Sequence, residues 1–161
     1  MASRQASAAA ARILGRPGKA ALEAMMSGEL PQPNMAVTLG FSLVEVGDGR
    51  VVFEGTPGEK LLNPLGTVHG GFALTMIDSA AACAAHTTLP ANVGYTTVET
   101  KCNFTRAIIA ESTSVRCEGR VVAAGKRIIT AEAYVRQGDK LVAHGTSTIM
   151  VLEDTSTSSS R

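Results

Sequence analysis

The sequence predicts an α+β fold, an antiparallel β-sheet packed on one long central helix. Three observations point to it. Residues 70–87 read as a helix that is apolar on nearly every side. Two strand-like runs precede this helix and four follow it, the arrangement expected when a sheet covers a single helix. No internal repeat divides the chain, and 161 residues are about one domain's worth.

The elements follow in order. Residues 1–16 read as a flexible leader. Residues 17–28 read as a short helix, with Pro17 suited to its first turn and Gly28 to its stop. Leu22, Met25 and Met26 fall on one side of it. Pro31 and Pro33 then break the chain. Residues 35–46 and 50–56 are β-branched-rich runs joined by Gly47-Asp48-Gly49, which predicts a hairpin. Residues 58–69 are a loop with Gly58, Pro64 and Gly66. After the loop around Pro90, strands are expected over 94–106, 111–123, 127–136 and 140–152. In the second of these, Val115, Cys117 and Val121 alternate with Arg116, Glu118 and Arg120, the period of a half-buried strand. Gly125 and Gly138-Asp139 mark turns. The domain thus runs over 17–152, and the polar residues 153–161 are expected to be disordered.

Composition narrows the function. A net charge of +1 gives no general field for polyanions, which disfavours nucleic acid as a partner. No apolar run reaches the roughly eighteen residues of a membrane span. The three cysteines, Cys83, Cys102 and Cys117, are odd in number and form no C-x-x-C pair. That argues against a disulfide framework and a zinc site, and it fits a reducing, cytoplasmic setting. His69, His86 and His144 show no metal-ligand spacing, so no metal and no organic cofactor is expected. Residues 1–22 carry Arg4, Arg12, Arg16 and Lys19 and no acid. Two readings of that segment stay open: an alanine-rich leader on a bacterial protein, or a mitochondrial transit peptide.

Asp78 lies in the middle of the apolar helix. A buried carboxylate must be compensated or shift its pKa, so its presence needs a reason. It is either a structural Asp bonded to an amide or a strand hydroxyl, or a catalytic group. His69-Gly70-Gly71 at the start of the same helix favours the second. A helix N-terminus presents free N–H groups and partial positive charge, and glycine lets a substrate approach the main chain. Such amides can build an oxyanion hole. Gly70 and Asp78 are eight residues apart, about 12 Å along a helix. If both act on one carbonyl, Asp78 must meet Gly70 of a second chain, which a two-fold dimer with antiparallel helices would achieve.

The stretch NPLGTVHGGFALTMID, residues 63–78, resembles the hotdog-fold acyl-CoA thioesterases of the phenylacetate-pathway (PaaI) type. Those typically show Asn, Gly, His-Gly-Gly and a helix Asp at this spacing. TLGF (38–41), VETKCNFTR (98–106) and EGRVVAAGKR (118–127) are similar to the family too, so the resemblance covers about residues 20–152. One departure is Ala107, where relatives usually have Pro.

The resemblance implies a hotdog fold and hydrolysis of an acyl-CoA to free acid and CoA. It implies that Asp78 is the catalytic carboxylate, as general base or nucleophile. Gly70 N–H would polarise the thioester carbonyl, with Gly71 beside it. Asn63 would orient water or thioester, and His69 would shape the loop and bond near the leaving group. Thr97 would stand near the carboxylate, with Thr96 as its alternative. CoA phosphates call for a basic patch, for which Arg106, Lys126 and Arg127 are candidates, with the outward pair Arg116 and Arg120 behind them. The acyl pocket would draw on Met76, Leu61 and Leu62. A homodimer with shared sites is expected, assembled further into a dimer of dimers. Two other readings remain: a non-catalytic acyl-CoA-binding protein of this fold, and a hotdog hydratase or dehydratase. No G-x-S-x-G elbow supports a serine hydrolase.

Overall fold

The computed structural model describes residues 10–152; the leader up to residue 9 and the tail 153–161 lie outside the described residues. Residues 10–14, assigned to the leader from sequence, are helical, and the Leu14 carbonyl accepts the Asn92 amide at 2.6 Å. Helix α1 (Gly18–Met26) follows Pro17, as expected. It buries Ala21, Leu22 and Met25.

The next segment departs from expectation. Residues predicted to begin a strand form a second helix, α2 (Asn34–Leu39). Pro33 precedes its first turn, Thr38 Oγ1 donates to the Asn34 carbonyl at 2.8 Å, and Gly40 ends it at φ 76°. Val37 and Thr38 favour strand by propensity, but the local stop signals win. The strand starts only at Phe41.

Strands β1 (Phe41–Gly47) and β2 (Arg50–Gly55) form the expected hairpin, with Gly47 opposite Arg50. A short 3₁₀ turn over Glu59–Leu61 leads to the long helix α3 (Gly70–His86). Then come β3 (Gly94–Phe104), β4 (Val115–Ala124), β5 (Ile128–Gln137) and β6 (Lys140–Leu152). Each lies within a few residues of its predicted range.

All six strands form one antiparallel sheet in the order β1-β2-β4-β5-β6-β3. The sheet wraps α3, which packs on β2, β3, β4, β5 and β6. Alanines on α3 permit very close packing. A Cβ on Gly119 of β4 would lie 2.3 Å from the Ala80 carbonyl oxygen, so only glycine fits there. Met76, Ile77, Phe53 and Val135 fill the space between helix and sheet.

Burial of α3 is not complete. Gly71, Leu74, Thr75, Asp78 and Ser79 form an uncovered stripe at helical spacing. The sheet also has an uncovered edge at β3, where Val98 and Phe104 are more than half exposed.

Candidate active site

The start of α3 shows how its sequence is used. His69 stands at the N-cap, and its Nδ1 accepts the Gly71 amide at 2.9 Å. With Nδ1 accepting a backbone N–H, only Nε2 of the ring is left to donate. The Phe72 amide goes back to the His69 carbonyl at 3.0 Å. The Gly70 amide makes no hydrogen bond among the described residues. Of the two glycine amides picked out from sequence, Gly71 is thus occupied and Gly70 is open. The Phe104 ring covers Gly70: a Cβ there would lie 2.9 Å from Cζ of the ring.

Asn63 holds the loop that leads into this helix. Its Oδ1 accepts from the Leu65 and Thr67 amides at 2.9 and 3.3 Å, and its Nδ2 donates to Thr67 Oγ1 at 2.9 Å. These bonds, with a main-chain bond from Asn63 to the Thr67 carbonyl, close the 63–67 turn. One Nδ2 hydrogen remains for another partner.

Asp78 sits two turns into α3, on the uncovered stripe. Its Oδ1 accepts from Thr100 Oγ1 at 3.2 Å. Thr100 Oγ1 also meets Ser147 Oγ at 2.5 Å, and Ser147 Oγ donates to the Glu99 carbonyl at 3.1 Å. Ser147 is fully buried, and this network is what satisfies it.

The hydroxyl partner of the carboxylate is therefore Thr100, which sequence reasoning missed in favour of Thr97. A bulge at Val98 explains the relation between them. Thr97 faces Ile149 and Thr100 faces Ser147 across the β3–β6 ladder, and both of those β6 residues are fully buried on the inner face. In a regular strand Thr97 and Thr100 would point to opposite faces; the extra residue puts both on the helix side. Thr96, the alternative to Thr97, faces Met150 and is exposed. The position of the bulge leaves no clear mark in the sequence.

The nearby cysteine is not a thiol nucleophile. Burial, with the nearby Asp78 charge, pushes the Cys83 thiol up to about 12. Burial also raises Cys117, Cys102 and the Tyr95 hydroxyl. Burial lowers His86 to about 4, so it stays neutral. Among the described residues, no group of three or more His, Cys, Asp or Glu could hold a metal ion.

The basic candidates are scattered. Arg106 follows β3 near the Gly70 end and shares a cavity of about 590 Å³ with Lys140. Lys126 and Arg127 lie in the β4–β5 turn, a strand length away, on the order of 30 Å. Within one chain they cannot hold the same group as Arg106. Arg116 and Arg120 are engaged on the outer sheet face: Arg116 pairs with Glu45 and, at 2.7 Å, with Glu54, and Arg120 pairs with Glu118. Met76, assigned to the acyl pocket from sequence, is fully buried in the core instead. Leu61 and Leu62 do line a cavity beside His69 and Gly71.

Comparison with known proteins bears on the family and the fold. The sequence profile of the thioesterase superfamily matches residues 65–144, from the turn before α3 into β6. No curated protein sequence matches the chain. A conserved protein of Pseudomonas aeruginosa is 34% identical, with TM-score 0.70 over 74% of this chain and 94% of its own. A thioesterase-like, phenylacetic acid degradation-related protein of Ralstonia eutropha is 29% identical, with TM-score 0.74 over 80% of this chain and 98% of its own. A mutant form of the phenylacetic acid degradation protein PaaI of Thermus thermophilus is 28% identical, with TM-score 0.69 over 74% of this chain and 100% of its own. Fold and matches together define a thioester hydrolase of the hotdog class. The chain belongs to the thioesterase superfamily, and it resembles the phenylacetate-pathway type within it.

Proposed function

We propose that this protein hydrolyses acyl-CoA thioesters to the free acid and CoA, at two sites shared between the chains of a homodimer. The observation that carries the reading is the unpartnered Gly70 amide at the start of α3, on the helix whose uncovered stripe holds Asp78. The thioester carbonyl oxygen accepts from Gly70 N–H, where the helix dipole adds to the attraction for developing negative charge. Asp78 takes a proton from water as the water oxygen bonds to the carbonyl carbon. The tetrahedral intermediate then expels the CoA thiolate, and the proton on Asp78 passes to that sulfur. Thioesters are reactive enough that an aimed water and a stabilised oxyanion suffice. Asn63 and His69 act here as positioning residues that hold the entry loop and the first turn. Thr97, inward beside Thr100, borders the water site.

Two features support the dimer. Gly70 and Asp78 are about 12 Å apart along one helix, too far for one carbonyl. The long uncovered edge of β3 and the open stripe of α3 are also surfaces that a second copy would cover. Antiparallel pairing of two β3 edges would bring Lys126 and Arg127 of the partner subunit toward the Arg106 end, where CoA phosphates need cations.

The test is thiol release from a panel of acyl-CoAs by wild type and Asp78→Asn. Loss of about 10²–10⁴ in kcat with the fold intact is expected. Undiminished turnover in the variant removes Asp78 from the chemistry. Tight acyl-CoA binding without any thiol release by wild type makes the protein a binder.

A further inference from the structure

An open cavity of about 450 Å³ lies between α2 and the first two turns of α3. Its walls are Met35, Leu39, Leu61, Leu62, Phe72 and Thr75, and His69 and Gly71 stand at its α3 side. We infer that this cavity is the acyl subsite, and that it takes an uncharged, apolar acyl group of intermediate length. The inference rests on the proposed thioester hydrolysis and adds to it the class of acyl group and the residues that select it.

Position comes first. Gly71 adjoins the open Gly70 amide, so a carbonyl held by that amide has its substituents at the cavity's edge. The chemistry of the walls then says which substituent enters. Five of the six named wall residues are apolar. The sixth, Thr75, spends its hydroxyl hydrogen on the Gly71 carbonyl at 2.8 Å. The amides of a pantetheine arm would lose their water here and find almost no partners, whereas an alkyl or aryl tail loses nothing polar. Lys60 lines the cavity too, but its long apolar stem can pack there while its ammonium stays in water.

Size sets the length. A closed apolar cavity of about 150 Å³ is enough to bind benzene. The space here is several times larger, so an acetyl group would leave it unfilled. Each added methylene is expected to raise kcat/KM about fourfold until the far wall is reached. Met35 and Leu39 form that wall, four residues apart on one face of α2. Both sit on the short helix, so α2 acts as the ruler.

The experiment measures kcat/KM along a series of straight-chain acyl-CoAs from acetyl to dodecanoyl. It compares wild type with Met35→Trp and Leu39→Ala, with circular dichroism as the fold control. Met35 is 58% exposed, so its replacement does not disturb the core even if Leu39→Ala does. Filling the cavity with Trp is expected to move the optimum to shorter chains and to lower the long-to-short ratio of kcat/KM about tenfold. Leu39→Ala is expected to move the optimum to longer chains. An unmoved optimum in a folded Met35→Trp protein overturns the subsite while leaving the hydrolase reading intact. Absence of turnover by wild type across the whole series overturns both.

Discussion

Thr100 Oγ1 stands between the Asp78 carboxylate, 3.2 Å away, and the buried Ser147 hydroxyl, 2.5 Å away. Ser147 reaches on to the Glu99 carbonyl. These three contacts have only two hydroxyl hydrogens among them when Asp78 is ionised. A third hydrogen arrives when Asp78 becomes protonated, because the acid can then donate to Thr100. The network therefore has a hydrogen-bonding arrangement for the carboxylate with or without a proton.

Thr100→Val removes a donor from the ionised form of Asp78. Without it the carboxylate is held less firmly toward the water it would aim, so kcat should fall about tenfold to a hundredfold. Thr100→Ser keeps the hydroxyl and should restore most of that loss. The kcat values of the three proteins decide; an unchanged kcat in Thr100→Val shows that Asp78 does not depend on this contact.

The Gly70 amide can be deleted without deleting the helix. His69 already has φ −59° and ψ 135°, the conformation a residue before proline adopts, and proline is favoured in the first helical position. The three atoms nearest to a new Cβ there all belong to the Phe104 ring, which is more than half exposed and has room to turn aside. Gly70→Pro should fold and lose about 10²–10³ in kcat, while Gly70→Ala, which keeps the N–H, should lose far less. Equal kcat values for the two variants would show that the amide does not bind the oxyanion.

Mixed dimers test the shared site. A dimer of one Asp78→Asn chain and one Gly70→Pro chain keeps one intact site if Gly70 and Asp78 act across the two-fold axis, and none if they act within a chain. Equal mixing after unfolding and refolding should recover about a quarter of wild-type activity from two inactive proteins. No recovery, with mixed dimers shown to form, places both groups of a site in one chain.

His86 makes stability depend on pH. Burial holds its folded pKa near 4, against 6.5 for the free side chain. Between those values the unfolded chain binds more protons than the folded one. Stability contributed by neutral His86 is therefore present above pH 6.5 and falls as pH drops toward 4, by at most about 3 kcal/mol. Thermal unfolding of wild type and His86→Gln from pH 8 to pH 4.5 measures it. The wild type should lose more stability than the variant over that range, and parallel curves would contradict the burial of a neutral imidazole.

Much of the architecture was legible in the chain. The apolar run from Phe72 to Ala85, interrupted by Asp78, marked the central helix, and the strand alternation and glycine turns marked a sheet around it. These are local signals, carried by residues a few positions apart. His69-Gly70-Gly71 likewise announced a helix start with main-chain donors. What that sequence could not say is that the His69 ring would occupy the Gly71 amide and leave Gly70 open, since this depends on a side-chain rotamer.

Tertiary structure alone decided the rest, because the deciding contacts join distant parts of the chain. Thr100 and Ser147 are 47 residues apart and meet only because β3 crosses to the far edge beside β6. The bulge at Val98 then turns Thr100 toward Asp78. Lys126 and Arg127 look like companions of Arg106 on paper, yet they sit at the other end of the sheet. Met76 and Leu74 are both apolar and two residues apart, but one face of α3 is wrapped by strands and the other is open. Composition makes the helix apolar; only the path of the sheet around it determines which side remains open.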